Sequence, residues 1–406
     1  MDVLLISPGF PPEMPWFTRA LAEVGARVLA IGDQPLEMLA PEVRHALTAY
    51  HRVGDLWNEE AVVAEVLREL GGRTVDRVEC LWEPAMILAG RLRDRLGLDG
   101  LSAEQSRVLR DKESMKATLD AAGIRTPHHY RARTADQVRL AVERIGYPVI
   151  IKPIAGAGAA DTHRVHSAHE LMRAIELLRH VDEVSVEEFI QGEEHTYDTL
   201  SAGGDVLFEN IAWYRPNPLV ARQNEWISPQ AVCLRDLSRP ELAGGIELGR
   251  RVLRALEIRT GFAHMEWFRK ADGEVVFGEI GGRPPGGRLV HVMNYTCDCD
   301  LFVGWAEAVC RGRISQELSK KYNAGIVFKR ARGAGPAITR IEGLEALRAA
   351  LGPHLVAVEL TPPGRPRVDW RQVVSGDGWV VVRHPQLEPT LAMADRVGRE
   401  LALYAD

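Results

Sequence analysis

The sequence predicts a chain of mixed α/β and α+β architecture that is divided into more than one domain. Its 406 residues suffice for two to three domains at roughly 150 residues each. Hydrophobic residues make up 46% and charged residues 26% of the chain, as is typical of globular proteins. Near the start, short apolar runs alternate with amphipathic stretches, whereas two strand-like runs flank a turn further along.

The first hundred residues begin with a β-α-β pattern. An apolar run at 3–6 precedes a helical pattern at 16–24 and a second apolar run at 27–31. This spacing predicts a Rossmann-like N-terminal domain over residues 1–100. The turn after the first strand reads SPGFPPEMP and has no GxGxxG sequence, so we expect no dinucleotide there.

The character of the sequence changes after residue 100, and residues 101–320 are predicted to form a second domain. Thr134 and Ser167 are each followed three residues later by Gln or Glu, which marks the start of a helix. The predicted elements are helices at 134–146 and 167–180, strands at 147–153 and 183–190, and a long surface loop at 213–229.

The last segment, residues 321–406, is predicted to be a C-terminal α+β subdomain. Its expected strands are 326–329 and 379–383, and its expected helices are 341–351 and 388–404.

Charge and hydropathy exclude several classes of protein. No apolar run reaches the roughly 18 residues that span a bilayer, and the N-terminus lacks the pattern of a signal peptide. We therefore expect a cytoplasmic protein without a membrane partner. A net charge of −6 without a basic tract argues against nucleic acid as a partner. The five cysteines suggest reduced thiols, and the single residue between Cys297 and Cys299 is not the spacing of common zinc sites.

Lys152 ends an apolar run and is followed by a loop of small residues that contains Gly156 and Gly158. A partly desolvated ammonium is costly unless an anion meets it, and glycine-rich backbone can approach phosphate oxygens closely. The alternative is a plain turn with a lysine whose stem is buried and whose head reaches solvent. The loop matches neither the dinucleotide pattern nor the P-loop pattern.

Two strand-like runs, 261–268 and 274–280, flank an Asp-Gly pair that predicts a hairpin. With a two-residue turn at Asp272 and Gly273, Glu266 lies opposite Glu279. Opposed like charges destabilise a sheet, so a shared Mg²⁺ or Mn²⁺ explains them best. The alternative is a bulge or longer turn that breaks this register. A glycosidase acid/base pair is disfavoured because opposed Cβ atoms leave no room for a sugar.

Two further clusters carry charge. Arg283 follows the second strand in a loop of glycine and proline, where it either stabilises negative charge in a reaction or is simply solvated. Four acids lie in the run Glu187-Glu-Phe-Ile-Gln-Gly-Glu-Glu194. Such a run most often forms a solvent-exposed edge, and the alternative is a hinge that binds an adenine and its ribose hydroxyls.

Five motifs occur in an order and at a spacing that resemble the ATP-grasp superfamily. They lie over roughly residues 101–310. They read Arg110-Asp-Lys112, Val149-Ile-Ile-Lys152-Pro, Val186-Glu-Glu-Phe-Ile190-x-Gly-x-Glu194, His264-Met-Glu266 and Gly278-Glu279-Ile-Gly-Gly-Arg283-Pro-Pro-Gly. The resemblance is closest to the carboxylate–amine ligases that join amino acids into dipeptides. It implies an ATP-grasp fold in residues 101–320, completed by the C-terminal subdomain.

The resemblance also implies roles for individual residues. Phosphate contacts are implied for Lys112, Lys152 and the loop of Gly156 and Gly158, adenine contacts for Glu187, Glu188 and Ile190, and a ribose contact for Glu194. Glu266 and Glu279 would bind magnesium, and Arg283 would stabilise the acyl phosphate and the tetrahedral species derived from it. Lys152 would also be catalytic, by neutralising phosphate oxygens, and His264 would lie near the acceptor. Gly281 departs from the family pattern, which often has asparagine there.

The function implied is an ATP-dependent carboxylate–amine ligase that works through an acyl phosphate and releases ADP and phosphate. ATP and Mg²⁺, with Mn²⁺ as an alternative, are the expected cofactors, and a small-molecule carboxylate and amine are the expected substrates. Biotin-type carboxylation and a non-catalytic ATP-binding scaffold are the alternatives. A homodimer is expected from the resemblance alone.

Overall fold

The computed structural model of the protein describes residues 1–154, 161–370 and 376–406. Its N-terminal part consists of β1 (Asp2–Ile6), α1 (Met14–Glu23), β2 (Arg27–Gly32), α2 (Pro41–Ala46), β3 (Leu47–Arg52), α3 (Glu59–Leu70), β4 (Arg77–Glu79) and α4 (Met86–Leu96). The strands are parallel and lie in the order β3-β2-β1-β4. The predicted β-α-β start is therefore confirmed.

A small sheet follows, with strand order β5-β8-β6-β7. The elements of this part are α5 (Ala103–Arg110), α6 (Lys112–Ala121), β5 (His129–Ala132), α7 (Ala135–Ile145), β6 (Val149–Pro153), β7 (His163–Val165), α8 (Ala168–Leu177) and β8 (Val184–Glu188). The Thr134 side chain caps α7 by accepting from the backbone N–H of Gln137. In a capping box, the Gln137 side chain would accept in return from the backbone N–H of Thr134, but it accepts from the backbone N–H of Arg133. The helix therefore begins where predicted, without this second hydrogen bond.

The rest of the described chain is built on a large sheet with the order β14-β13-β9-β11-β12-β15-β18-β17, and β10 pairs with β9. Its first elements are β9 (Gly192–Ala202), β10 (Asp205–Asn210), β11 (Ala212–Arg215), α9 (Pro218–Gln223), β12 (Gln230–Cys233), α10 (Pro240–Ala255), β13 (Gly261–Lys270), β14 (Val275–Gly281), α11 (Leu289–Cys297) and α12 (Leu301–Arg311). The segment at 213–229 is thus not the predicted loop, because it contains part of β11 and all of α9.

The C-terminal elements are β15 (Asn323–Lys329), β16 (Arg340–Glu342), α13 (Leu344–Leu351), β17 (Leu355–Leu360), β18 (Gly378–His384), α14 (Leu387–Glu400) and β19 (Ala402–Tyr404). Since β15, β17 and β18 extend the large sheet, this segment shares a sheet with β9 and β13. The last predicted helix ends at Glu400, and residues 402–404 pair with β16 instead.

Apolar packing joins the N-terminal part to the large sheet. Phe17 of α1 makes edge-to-face contacts with Phe302 and Trp305 of α12, whose ring centroids lie 4.8 and 5.2 Å away. These rings are buried in one core together with residues of β9, β12 and β15. Within the three described ranges, no helix combines the length and apolar character needed to cross a bilayer.

Candidate functional site

The predicted site residues that the structure describes lie around one cleft between the small and the large sheet. The empty volume of the cleft, including the space that is open to solvent, is about 1240 Å³. Its predicted residues are Lys112, Lys152, Glu187, Glu188, Ile190, Glu194, His264, Glu266, Glu279 and Arg283. Gly156 and Gly158 lie outside the described residues, so their proposed phosphate contact remains a prediction.

Glu266 and Glu279 lie directly opposite each other on β13 and β14. The predicted two-residue turn is nevertheless wrong, because the backbone N–H of Lys270 donates to the carbonyl of Glu274 across a three-residue loop. This longer loop shifts the pairing by one residue, and a bulge at Gly278 shifts it back. A Cβ at position 278 would lie 2.8 Å from the carbonyl oxygen of Glu266, so the bulge requires glycine.

Positive side chains surround both carboxylates. Lys112 Nζ lies 3.1 Å from Glu279 Oε1. His264 Nε2 lies 3.7 Å from Glu266 Oε1. Burial alone would raise the pKa of Glu266, but His264, Lys152 and Arg283 outweigh it and lower that pKa. Glu266 is therefore ionised at neutral pH.

Lys152, which is partly exposed in the cleft, contacts a buried carboxylate. Its Nζ lies 2.9 Å from Glu187 Oε2, and the other oxygen of Glu187 accepts from Lys116 Nζ at 2.5 Å. Burial opposes the charge on Glu187, but the two lysines lower its pKa. The Glu187 side chain is thus held between two lysines, and its predicted adenine contact remains a prediction.

Lys116, which is 1% exposed, is a site residue that the sequence motifs do not include. It lies one helical turn after Lys112 on α6 and so shares a face with that residue. A signal was available, because lysine is rare in this chain and a second lysine at i+4 is notable. A hydroxyl completes the arrangement, since Ser185 Oγ donates to Glu187 Oε1 at 2.8 Å.

Glu188, the last residue of β8, and Ile190, which follows the strand, lie at the edge of the cleft. The Glu188 carboxylate accepts from Arg125 Nη2 at 3.0 and 3.1 Å and from the backbone N–H of His128 at 3.2 Å. Ile190 is buried and presents apolar surface to the cleft. An apolar residue beside backbone polar groups suits a flat heterocycle such as adenine.

Glu194 is a buried carboxyl at the start of β9. Asn217, the N-cap residue of α9, donates a side-chain hydrogen bond to it. Burial, and next the nearby charge of Glu266, raise the pKa of Glu194 well above its usual range. The raised pKa favours the protonated carboxyl, which can donate as well as accept when it binds a hydroxyl group. Sequence analysis had no assignment for Asn217.

His264 is oriented by a carboxylate on the neighbouring strand. Its Nδ1 lies 2.6 Å from Asp198 Oδ1, because residues 198 and 264 pair across β9 and β13. Burial disfavours the charged ring, but the hydrogen bond to Asp198 and the nearby negative charge of Glu266 outweigh it and raise the pKa of His264 to about 9. The imidazole is therefore positively charged at neutral pH.

Arg283 joins the cleft to the N-terminal part of the chain. Its Nε donates to Glu83 Oε2 at 2.7 Å, and its Nη1 donates to the carbonyl of Pro284 at 2.9 Å. A Cβ at Gly281 would lie 3.3 Å from Arg283 Cγ, so the glycine leaves room for the arginine stem. Glu83 carried no sequence signal, since it lies about 200 residues from its partner.

The pair of opposed carboxylates fits a magnesium ion only in part. Across residues 1–154, 161–370 and 376–406, no three His, Cys, Asp or Glu side chains are grouped as a complete metal site. Two carboxylates are nevertheless what protein magnesium sites usually supply when substrate phosphates and waters complete the shell. The donor set therefore fits Mg²⁺ bound together with a nucleotide.

The chain is similar in sequence to proteins that are named as ligases. Residues 119–287 match the family model described as D-ala D-ala ligase C-terminus. An L-arginine-specific L-amino acid ligase of Bacillus subtilis is 28% identical over 270 residues, which cover 65% of this chain and 64% of that protein. A D-alanine–D-alanine ligase of Clostridium botulinum is 34% identical over 93 residues, 22% of this chain and 31% of that protein.

Solved structures share the fold over the whole chain. The L-amino acid ligase of Bacillus licheniformis superposes with a TM-score of 0.80 at 20% identity, and the match covers 100% of this chain and 98% of that one. Phosphoribosylglycinamide synthetase of Anaerococcus prevotii superposes with a TM-score of 0.72 at 16% identity, covering 100% and 99%.

Proposed function

We propose that this chain is a member of the ATP-grasp superfamily and a ligase that joins a carboxylate to an amine through an acyl phosphate. The observation that carries this proposal is the convergence of lysines and opposed carboxylates on one cleft. Phosphoryl transfer requires mainly positioning and positive charge around the phosphates, and this cleft offers both.

In this proposal the nucleotide lies across the cleft. Glu188 and Ile190 would contact the adenine, and Glu194 with Asn217 would bind the ribose hydroxyls. Lys112 and Lys152 would contact phosphate oxygens. Glu266 and Glu279 would hold Mg²⁺, which supplies charge neutralisation at the phosphate oxygens when it is bound.

The reaction has two steps. An oxygen of the substrate carboxylate attacks the γ-phosphorus, the bond to the β-phosphate oxygen breaks, and ADP leaves. The amine then attacks the acyl carbon, loses a proton and displaces inorganic phosphate. Arg283 and the charged ring of His264 would stabilise the negative oxygen of the tetrahedral species. The raised pKa of His264 favours its charged form, so we propose charge stabilisation as its role.

The test is phosphate release from Mg·ATP in the presence of pooled amino acids and small carboxylates, with mass spectrometry of each active pool. We expect release that requires both an acid and an amine, and a product lighter than their sum by one water. Release with bicarbonate alone would instead indicate carboxylation and would contradict the proposal. ATP binding without stimulation by any pool would favour a non-catalytic scaffold.

A single substitution tests the metal assignment. Glu279→Gln removes one charge from the carboxylate pair, and we expect turnover to fall by at least about 100-fold, a loss of about 3 kcal/mol of transition-state stabilisation. The matched control is Glu193→Gln on β9, whose side chain is 52% exposed and lies 3.5 Å from Arg269 outside the cleft. Turnover of E279Q at the wild-type level would refute the assignment.

We also propose a substrate class and an assembly for this protein. Small-molecule acids and amines suit the size of the cleft, and a cytoplasmic homodimer is the assembly we propose. Sedimentation of the purified chain tests the assembly, and a monomer at micromolar concentration would refute it.

A further inference from the structure

Two thiols lie in contact at the end of α11, outside the cleft. Cys297 is the last residue of the helix, and Asp298 takes a left-handed conformation that turns the chain so that Cys299 faces back. The two Sγ atoms are 3.0 Å apart. A disulfide bond is about 2.05 Å long, so a movement of about 1 Å would join these sulfurs.

The electrostatics of the pair favour a thiolate beside a thiol. A hydrogen bond from Cys299 lowers the pKa of Cys297 to about 7 despite burial, and Thr296 and Lys320 contribute in the same direction. The same hydrogen bond raises the pKa of Cys299, which keeps its proton. Cys297 is buried and Cys299 is partly exposed, so solvent reaches the pair from the side of Cys299.

Two other cysteines, Cys80 and Cys233, have raised pKa values and are expected to be unreactive. Burial raises the pKa of Cys80 to about 11 and that of Cys233 to about 12. Both are therefore thiols at neutral pH, and thiols react slowly with oxidants. The reactivity expected of Cys297 and Cys299 is specific to their position.

A chain of hydrogen bonds leads from this thiol pair to the cleft. Lys320 Nζ lies 3.5 Å from Thr296 Oγ1 and donates to Asn210 Oδ1 at 2.7 Å. Asn210 Nδ2 donates to Asp198 Oδ2 at 3.0 Å, and the other oxygen of Asp198 binds the His264 ring. Each member is buried or partly buried, so its partners are not readily replaced by water.

We propose that Cys297 and Cys299 form a reversible disulfide on exposure to a hydroperoxide and that this bond lowers activity by disturbing Lys320 and Asn210. The effect on turnover rests on the proposed function, whereas the disulfide and the structural coupling do not.

The disulfide would form through a sulfenic acid on Cys297. The thiolate of Cys297 attacks one peroxide oxygen, the O–O bond breaks, and the leaving oxygen takes up a proton to become water. Cys299 then attacks the resulting sulfenic sulfur, and the displaced hydroxide leaves as a second water with the thiol proton. Two thiols and one hydrogen peroxide thus give one disulfide and two waters.

Oxidation changes both charge and position at Lys320. The negative charge next to the ammonium disappears, and the closing of the two sulfurs moves the end of α11. The carbonyl of Thr296 accepts from the backbone N–H groups of Lys321 and Tyr322 at 2.7 and 3.0 Å, so the chain that carries Lys320 moves with the helix end. The Lys320–Asn210 bond therefore weakens.

Mass spectrometry tests the disulfide. The full chain is treated with hydrogen peroxide, and intact mass and peptide mapping are recorded before and after dithiothreitol. We expect a loss of two hydrogens that maps to 297–299, is reversed by dithiothreitol and is absent from Cys297→Ser and Cys299→Ser. The matched control, Cys310→Ser, keeps the response. Overoxidation of either sulfur without a disulfide, or no reaction at peroxide levels that oxidise free cysteine, would overturn the proposal.

A second measurement tests the coupling without relying on catalysis. The NMR signal of the His264 ring in selectively labelled protein, assigned with His264→Gln, should shift on oxidation and return on reduction. In wild type, turnover should fall reversibly by about fivefold or more, the lower end of typical coupling between sites, and C297S should not respond. A disulfide that leaves the His264 signal unchanged would overturn the coupling. If no substrates are turned over at all, the proposed function fails while the mass and NMR results still decide this inference.

Discussion

At the scale of single residues, the cleft depends on buried charges whose partners come from distant parts of the chain. Glu187 is placed between Lys116 and Lys152, and removing one partner of a buried ion pair leaves an uncompensated charge. A complete buried ion pair adds little to the stability of the folded protein, whereas loss of one partner lowers that stability strongly. Their value here lies in fixing the position of Lys152 in the cleft.

Lys116→Met tests this at the residue that sequence analysis missed. We expect the free energy of unfolding to fall by about 3 kcal/mol, as on breaking a buried ion pair, because Glu187 keeps only one cation. Urea titration measures the change. Lys321→Met, whose side chain is 50% exposed, is the control and should change stability by less than about 0.5 kcal/mol. Equal unfolding midpoints for K116M and wild type would contradict the shared carboxylate.

Residue types in the motifs could be predicted from sequence, whereas their partners could not. Lys152, Glu266 and Glu279 stand out because charges interrupt apolar runs. Asp198 and Glu83 have no distinctive sequence context. Strand pairing brings Asp198 to His264, and packing of the N-terminal part against the cleft brings Glu83 to Arg283. Such information depends on tertiary structure, which periodicity does not contain.

At the scale of elements, the hairpin shows how a correct register can follow from an incorrect turn. The Asp-Gly pair predicted a two-residue turn, but the loop has one more residue. The bulge at Gly278 compensates for it, so Glu266 and Glu279 still face each other. Bulges carry little sequence signal other than glycine, so their position could not be predicted.

The bulge itself can be tested with Gly278→Ala. The new methyl group would lie 2.8 Å from the Glu266 carbonyl oxygen, so we expect a loss of about 1–3 kcal/mol of stability and a large loss of turnover. Gly54→Ala is the control, since its Cβ meets nothing within 4 Å. Thermal unfolding and phosphate release measure both effects. Full activity in G278A would contradict the need for the bulge.

The segment that carries α9 is attached to β15 through Lys329. The Lys329 ammonium donates to Ser228 Oγ at 2.8 Å and to the carbonyl of Gly398 at 2.9 Å, without a carboxylate among these partners. Burial lowers the pKa of Lys329 from 10.5 to about 8. Between these values the unfolded chain binds more protons than the folded chain, so unfolding free energy should rise with pH relative to a chain without this lysine.

Lys329→Met provides that reference. Urea titrations between pH 7.5 and about 10.5 should show wild type gaining stability relative to K329M as pH increases, with most of the gain above about pH 8. Parallel pH curves for the two proteins would contradict the lowered pKa.

At the scale of the whole molecule, the predicted fold class and the ATP-grasp resemblance agree with the observed sheets and the solved relatives. We propose the division into 1–100, 101–320 and 321–406 as a working description. The boundary near 320 cuts through the large sheet, since β15 and β18 continue the sheet that holds β9 and β13. The last segment is thus a subdomain rather than an independent unit.

The contact between Glu83 and Arg283 links the N-terminal sheet to the cleft. Glu83→Gln weakens the hydrogen bond that orients the guanidinium, and we expect kcat to fall about tenfold with little change in the unfolding midpoint. The exposed Glu37→Gln in the same part of the chain is the control. An unchanged kcat in E83Q would show that Arg283 is oriented by other contacts.

This same contact constrains the construction of hybrid enzymes. A recombinant that replaces residues 1–100 with the corresponding part of a relative would preserve the large sheet and its carboxylates. It would nevertheless separate Arg283 from Glu83 unless the donor sequence supplies an acid at that place. Fragment exchange among relatives should therefore treat these two positions, about 200 residues apart in sequence, as one inherited unit.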